Sequence, residues 1–303
     1  MKSIQIAALA LIFVCLMGFI FAYKYSKRDR NEANLPFSGI NKAMVTRLEI
    51  KSGRYFYQFH KDNNAWQIMS PIKCDADNKK VENLIDKTLK IELGETISSD
   101  PSKYSSFEVD KDSGVQVSLY YADNDKPKAD FIIGKQGYDY MHYYFRYTGS
   151  NDTMVCKGIN KYEVGQELKD WRDKDIFVVN RSSVNRVELT YAGQQTTLAL
   201  KDTKWFLGDP EKGKEANVNE VNMLLDNITN LRADDFADDA TAINSFSKPE
   251  IKVVISTIDG KENTLLIGNK KDAYYYVKSV QKAEVFMVLQ YKLDKLKEKI
   301  RGF

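Results

Sequence analysis

A tryptophan followed five residues later by a proline occurs twice in this chain, within surroundings that also match. The first copy reads NAWQIMSP and ends at Pro71, and the second reads TKWFLGDP 139 residues later and ends at Pro210. Each tryptophan follows by 21 residues a valine that opens an alternating segment, VTRLEI in one copy and VNRVEL in the other. This repeated order predicts a duplicated fold, with Trp66 and Trp205 in equivalent core positions.

The order of further segments is also the same in both halves. Three short alternating segments predict a β-meander, and a helix follows with Asp77 or Asn217 as its N-cap. Next come three pairs of predicted strands: VQVSLY and IKVVIS, DFIIG and TLLIG, then the aromatic HYYFRY and AYYYVK. The strands TMVC and EVFMV precede a predicted closing helix in each half, NKYEVGQELKDWRDK and YKLDKLKEKIRG.

These patterns predict an α+β fold of two tandem homologous units, each an antiparallel sheet with helices packed on one face. A length of 303 residues with 43% hydrophobic and 29% charged residues is sufficient for two cores. We expect the first unit over residues 31–180 and the second over residues 181–303, after an amino-terminal anchor and basic segment over residues 1–30.

The anchor is predicted from residues 6–22, which are 17 apolar residues without interruption. Such a run approaches the length that an α-helix needs to span a bilayer. A cleaved signal peptide is the alternative, but Ile20 and Ala22 form a poor cleavage site. A lipoprotein would need a small residue before Cys15, where the chain has Val14. The sequence therefore favours an uncleaved single-pass transmembrane helix.

The charge distribution excludes nucleic acid as a partner and leaves the orientation in the membrane open. Residues 1–30 hold five of the 45 Lys and Arg residues and one of the 42 acidic residues, so the rest of the chain has 40 bases and 41 acids. That part lacks the basic surface that nucleic acid binding requires. Basic residues just after the apolar run favour a cytoplasmic globular part by the positive-inside rule, although long domains cross despite such charge.

Few residues have the spacing of a chemical site. His60 and His142 have no ligand partners at metal-site spacing, and the acidic residues at 110–112 and 234–239 are predicted to be solvated loops. Gly134–Gly137 is predicted to be a hairpin turn, and no nucleophile-elbow, Walker A or dinucleotide motif occurs. We therefore predict no catalytic residue, cofactor or metal, and no enzyme activity.

Two cysteines, Cys74 and Cys156, have no counterparts in the second half. They form either one disulfide outside the cell or two buried thiols, and the pattern slightly favours the thiols.

The segment YDYMHYYFRY is the strongest candidate for a binding surface. Exposed aromatic rings and an arginine could stack on sugars or bases. Tyrosine is also a favoured strand residue, and the second half keeps Tyr274, Tyr275 and Tyr276 at the matching place, which favours packing. The candidate ligand platform comprises Tyr138, Tyr140, Tyr143, Tyr144, Arg146 and Tyr147.

The two halves resemble domain of unknown function family 4340 over roughly residues 43–303. The residues that carry the likeness are Leu48 and Ile50, Trp66 to Pro71, the helix after Asp77, Trp171 to Lys174, Phe246 and Pro249, Ile267 and Gly268, and Tyr275 and Tyr276. The resemblance implies a membrane-attached bacterial protein, often built as tandem halves and encoded beside components of gliding-motility-type ABC transporters. It also implies a globular part outside the cytoplasmic membrane, and it supplies no catalytic residue.

We therefore expect a non-enzymatic, membrane-anchored accessory or binding subunit of a cell-envelope transporter assembly. The alternative is a module that binds envelope glycan through the tyrosine-rich strands.

Overall fold

The computed structural model describes residues 17–18, 34–122, 124–237 and 241–303. Within these ranges no helix is both long enough and apolar enough to cross a membrane. The transmembrane helix predicted for residues 6–22 lies outside the described residues except at Met17 and Gly18. The chain divides into two compact units: unit 1 contains the described residues up to Lys73 and Asn78–Gln166, and unit 2 contains Cys74–Asp77 and Glu167–Phe303.

Two nine-stranded antiparallel sheets dominate the structure. The first has the order β4-β3-β2-β1-β6-β7-β8-β9-β5. Its strands are β1 (Val45–Ser52), β2 (Tyr55–Asp62), β3 (Ala65–Ser70), β4 (Cys74–Asp75), β5 (Glu92–Ser98), β6 (Val115–Tyr121), β7 (Ala129–Gln136), β8 (Tyr143–Tyr147) and β9 (Thr153–Lys157).

The second sheet has the order β13-β12-β11-β10-β15-β16-β17-β18-β14, which is the same arrangement strand for strand. Its strands are β10 (Val184–Tyr191), β11 (Gln194–Lys201), β12 (Lys204–Leu207), β13 (Lys214–Glu215), β14 (Asp235–Phe236), β15 (Ile251–Thr257), β16 (Glu262–Lys271), β17 (Tyr274–Ser279) and β18 (Phe286–Leu289). The prediction of two antiparallel-sheet units is confirmed, while the helices are minor elements and both units are mostly β.

The helices are α1 (Asn78–Leu89), α2 (Tyr104–Phe107), α3 (Lys161–Val164), α4 (Leu168–Trp171), α5 (Val218–Thr229), α6 (Thr241–Asn244) and α7 (Gln290–Arg301). Short 3-10 helices, Lys42–Met44 and Arg181–Ser183, precede β1 and β10.

Helix α5 forms where the apolar spacing predicted it. Val221, Leu224, Leu225 and Ile228 are buried along one face, and each such side chain stabilises the fold by about 1.5–3 kcal/mol. The predicted N-cap is confirmed, because the Asn217 side chain accepts hydrogen bonds from the backbone N–H groups of the second and third helical residues. Helix α1 buries the equivalent face in unit 1.

Both repeat tryptophans are core residues. The side chain of Trp66 is 1% exposed and that of Trp205 is 6% exposed. Trp66 pairs with Lys61 across β2 and β3, and Trp205 pairs with Leu200 across β11 and β12. The equivalent positions predicted from the repeat are therefore confirmed.

The closing helix of the first half is not continuous. Two single turns, α3 and α4, replace it. Gly165 lies between them in the chain, and a Cβ atom at this residue would be 2.9 Å from the Tyr55 hydroxyl and 3.0 Å from the Lys161 carbonyl oxygen, so a larger side chain does not fit there. The second half has the predicted 12-residue helix α7.

The predicted turn at Gly134–Gly137 is wrong, because Gly134 lies inside β7 at a register shift against β8. A Cβ atom there would be 2.2 Å from the Phe107 carbonyl oxygen, so the strand needs glycine where α2 ends against it. Gly268 occupies the same kind of position in β16, against Ser245.

The solvated loop predicted at residues 234–239 is also wrong where the structure describes it. Asp235 and Phe236 form β14 and pair with β18, and Phe236 is buried. The backbone N–H of Leu289 and the Lys292 ammonium both donate to the Asp234 carboxylate. Residues 238 and 239 lie outside the described ranges.

Candidate functional site

The hairpin loop that joins β7 to β8, residues 137–142, carries the most exposed aromatic rings of the candidate platform; we call it the tyrosine loop. Tyr138 is 95% exposed, Tyr140 is 79% exposed and Met141 is 67% exposed. These side chains are free to contact another molecule.

A dense set of hydrogen bonds holds this loop in one conformation. One oxygen of the Asp139 carboxylate accepts from the backbone N–H groups of Met141 at 3.0 Å and His142 at 3.1 Å, and the other contacts His142 Nδ1. Gln136 Nε2 donates to the Tyr140 carbonyl oxygen at 2.7 Å. Hydrogen bonds, first from the His142 ring and then from the two backbone groups, lower the pKa of Asp139 to about 2, so the carboxylate is charged at neutral pH.

The backbone of Tyr140 has a left-handed conformation, with φ at 57°. This region is unfavourable for a bulky residue by about 1–2 kcal/mol. Strain of this kind persists only where the surroundings impose it, and it occurs often at binding sites.

One face of β8 belongs to the core of unit 1. Phe145 and Tyr147 lie on that face, and their ring centroids are 4.9 Å apart. Phe131 stacks on Phe145 at 5.2 Å and Phe37 stacks on Phe131 at 5.2 Å. Tyr147, a candidate for the platform, therefore packs with other rings and is only partly exposed.

The opposite face of β8 buries Tyr144 and Arg146, which are 6% and 7% exposed. Tyr144 packs against Phe107 with ring centroids 4.7 Å apart. Arg146 Nε donates to the Val109 carbonyl oxygen at 3.0 Å, and its guanidinium lies 4.2 Å from the centre of the Tyr104 ring. Both residues hold the segment around α2 on the sheet. The rings with exposed area are therefore Tyr138 and Tyr140 and, in part, Tyr143 and Tyr147.

The second unit keeps the packing but not the loop. Tyr275 and Tyr276 are buried, and Tyr276 occupies the position that Tyr144 has in unit 1. Only Asp272 and Ala273 separate β16 from β17. The longer aromatic loop of unit 1 is therefore an addition that this sheet topology does not require.

The other candidate groups have structural roles. Asp110 accepts from the backbone N–H groups of Asp112 and Ser113, each at 2.8 Å, and so closes its own turn. His60 lies in β2, and its buried Nε2 has no hydrogen-bond partner in the described part of the chain. No group of three or more His, Cys, Asp or Glu side chains in the described ranges is arranged to hold a metal ion.

Cys74 and Cys156 are both buried, and neither forms a disulfide in the described part of the chain. Burial raises the pKa of the Cys156 thiol to about 12, so it is an unreactive core group at neutral pH.

No curated protein and no solved structure matches this chain. One family matches, described as Domain of unknown function (DUF4340), in a single stretch over residues 66–245. This stretch is narrower than the range expected from the resemblance: it begins at Trp66 in β3 and ends at Ser245, just after α6. Because the match covers more than half of the chain, the protein belongs to the DUF4340 family.

Proposed function

We propose that the protein is a non-enzymatic binding subunit of a cell-envelope transporter assembly and that the tyrosine loop contacts its partner. The observation that carries this proposal is the strained Tyr140, held in a preorganised loop that the second unit lacks.

Aromatic residues on rigid loops are effective contact groups. A tyrosine ring buries a large area on binding and loses few rotatable bonds, and tyrosine is enriched at protein interfaces. The Asp139 and Gln136 hydrogen bonds fix the loop before any partner arrives, so binding does not have to order it. Strain at Tyr140 lowers the stability of the free protein and is consistent with selection for contact.

The location is part of the same proposal. The apolar run at residues 6–22 anchors the chain in the cytoplasmic membrane as a single-pass protein, and the two units lie outside it. A carboxyl-terminal reporter that is active on only one side of the membrane tests this arrangement, and a cytoplasmic signal would overturn it.

Affinity purification from mild detergent tests the partner. We compare the tagged full-length protein with a Tyr138→Ser/Tyr140→Asn double variant, and Tyr291→Ser is the matched control because Tyr291 is an exposed tyrosine on α7 in unit 2. Transporter components should copurify with the wild type and the control and be lost with the double variant. Equal recovery from all three proteins would refute a role for the loop, and failure to recover transporter components at all would refute the assignment.

A second candidate function is supported by the exposure of the Tyr138 and Tyr140 rings, which can stack on sugar faces. In this case the protein is a module that binds envelope glycan. Retention on an immobilised glycan matrix should then fall for the same double variant, and unchanged retention would eliminate the tyrosine platform as a glycan site.

A further inference from the structure

Unit 2 contains a cavity of about 450 Å³ beside the repeat tryptophan. Its lining includes Trp205 and Leu200 from the sheet, Asn222 from α5, and Arg181 from the 3-10 helix before β10. The equivalent region of unit 1 shows which chemical group is absent from this cavity.

In unit 1 a glutamate carboxylate occupies the equivalent place. Trp66 Nε1 donates to Glu82 Oε1 at 2.7 Å, and Lys61 Nζ donates to the same oxygen at 2.8 Å. Lys42 Nζ lies 3.0 Å from the other oxygen of Glu82 and 2.7 Å from Asp86, so one cation serves two carboxylates.

Strand register and helix position define the equivalent residues in unit 2. Leu200 takes the place of Lys61 because each pairs with the repeat tryptophan of its own sheet. Arg181 takes the place of Lys42, since each begins a 3-10 helix that an asparagine caps. Asn222 follows the first buried valine of α5 as Glu82 follows that of α1.

Unit 2 keeps one of the ion pairs that link two lysines and two acidic residues in unit 1. Arg181 Nη1 lies 2.6 Å from the Asp226 carboxylate, which corresponds to the ion pair between Lys42 and Asp86. Asn222 and Leu200 stand where unit 1 has Glu82 and Lys61, and both of these replacements line the cavity.

These replacements leave the Trp205 indole N–H without the acceptor that Glu82 provides for Trp66. The Trp205 side chain is 6% exposed and lines the cavity, and its indole nitrogen is not one of the fully buried, unpaired atoms of the described residues. The N–H group is therefore accessible to a ligand in the cavity. Arg181 uses one guanidinium N–H for Asp226, and its other N–H groups are available for a second carboxylate.

We propose that the unit 2 cavity binds the carboxylate of an external ligand in the position that the Glu82 carboxylate has in unit 1. One carboxylate oxygen accepts from the Trp205 indole N–H, and the other accepts from the Arg181 guanidinium, which then serves two carboxylates as Lys42 does. The Asn222 amide lies at the same site, and Leu200 contacts an apolar part of the ligand. The carboxylate belongs to a small organic acid or to the carboxyl terminus of a peptide.

The full-length protein in mild detergent, labelled with 5-fluorotryptophan, tests this site by fluorine NMR. The chain has three tryptophans, and loss of one signal in Trp205→Phe assigns the resonance of interest. N-acetyl-leucine, which carries a carboxylate, should shift this resonance in a saturable manner, and the neutral N-acetyl-leucinamide should not. No shift with the acid, or an equal shift with the amide, would overturn the proposal.

A variant that restores the internal carboxylate provides a second test. Asn222→Glu should shift the Trp205 resonance without any ligand and weaken N-acetyl-leucine binding at least tenfold. Asn219→Glu is the matched control, because it adds the same charge to the same helix at an exposed position, and it should change the affinity less than twofold. Unchanged affinity in Asn222→Glu would refute the site even if the wild type binds the acid.

A tetrapeptide with a free carboxyl-terminal leucine distinguishes the two sources of the carboxylate. Binding at least tenfold tighter than that of N-acetyl-leucine identifies a peptide terminus, whereas similar affinities identify a small acid. Both results support a carboxylate site.

Discussion

The ion-pair cluster around Glu82 gives the sharpest stability prediction. The carboxylate accepts hydrogen bonds from Trp66 and Lys61 and pairs with Lys42, while its side chain is 28% exposed. Burial alone raises the pKa of Glu82, but the hydrogen bonds from Lys61, Trp66 and Lys42 outweigh it and lower the pKa from 4.5 to about 2. Glu82→Gln removes the charge and keeps one oxygen as an acceptor for the indole.

The pKa sets the magnitude and its pH dependence. A folded value of about 2 against an unfolded value of 4.5 corresponds to about 3 kcal/mol of stability at neutral pH. Because the folded pKa is depressed, this contribution is complete well above pH 4.5 and is lost as the pH falls toward 2. Glutamine retains the bond to Trp66, so we expect Glu82→Gln to lower the free energy of unfolding by about 2 kcal/mol at pH 7.

Urea titrations read by hydrogen exchange in peptides from β2 and β3 measure this effect in unit 1 alone. The difference between wild type and Glu82→Gln should shrink by more than half between pH 7 and pH 3. Asn222→Gln, at the equivalent position of unit 2, is the control and should change stability by less than about 0.5 kcal/mol. A difference that is below 0.5 kcal/mol at pH 7, or equal at both pH values, would refute this electrostatic account.

Three further predictions test other parts of the fold. Gly134→Ala should destabilise the protein by at least about 2 kcal/mol in thermal unfolding because its new Cβ collides with backbone, whereas Gly39→Ala, with no atom within 4 Å, should have little effect. Tyr140→Gly should raise stability by about 1 kcal/mol in urea unfolding and still abolish recovery of the partner, and lowered stability would contradict the strain at this residue. Glu250→Gln removes the negative charge that neutralises the Lys297 ammonium and should destabilise unit 2 at pH 7 by about 1–2 kcal/mol. Although burial lowers the pKa of Lys297, hydrogen bonds to Glu250 and a tyrosine outweigh it and raise the pKa above its usual 10.5, so this difference should fade as the pH rises through the raised pKa.

The sequence contained enough information to predict most strands and the three 12-residue helices of the described chain. Alternating segments such as Val45–Ser52 place every second residue in a core, and the spacing of Val221, Leu224 and Ile228 is helical. These signals are strong because each element has one buried face. The equivalence of the two halves followed from the same signals occurring twice in the same order.

Two edge strands were not predictable in this way. Strand β5, ELGETIS, has only one fully buried residue, Leu93, and β14 is two residues long. Both pair with a neighbouring strand through their backbones, and backbone pairing leaves little trace in side-chain pattern. The predictions of a continuous helix through Gly165 and of a turn at Gly134 failed for a related reason. Each glycine is needed because a Cβ atom would collide with residues that are distant in sequence.

The candidate binding surface could be located in the sequence, but the sequence did not show which of its side chains are exposed and which are buried. Alternation along β8 predicts two faces, yet it does not reveal that both faces are covered, one by Phe37 and Phe131 and the other by the segment around α2. The exposed rings of Tyr138 and Tyr140 belong to a loop whose conformation depends on Asp139. A hydrophobic pattern does not show hydrogen bonds that one side chain makes to the backbone of its own loop.

Duplication allows the requirements of the fold to be separated from additions within one chain. The glycine of β7 and β16 and the buried ring of Tyr144 or Tyr276 occur in both units, so the fold requires them. The tyrosine loop occurs only in unit 1, and a repeat tryptophan whose indole N–H lacks a protein acceptor occurs, among the described residues, only in unit 2. The loop lowers stability through the strain at Tyr140, and the cavity beside Trp205 lacks the ion pairs that Glu82 forms in unit 1. Because the sheet forms without either feature, we propose a contact outside the unit as the reason that each persists.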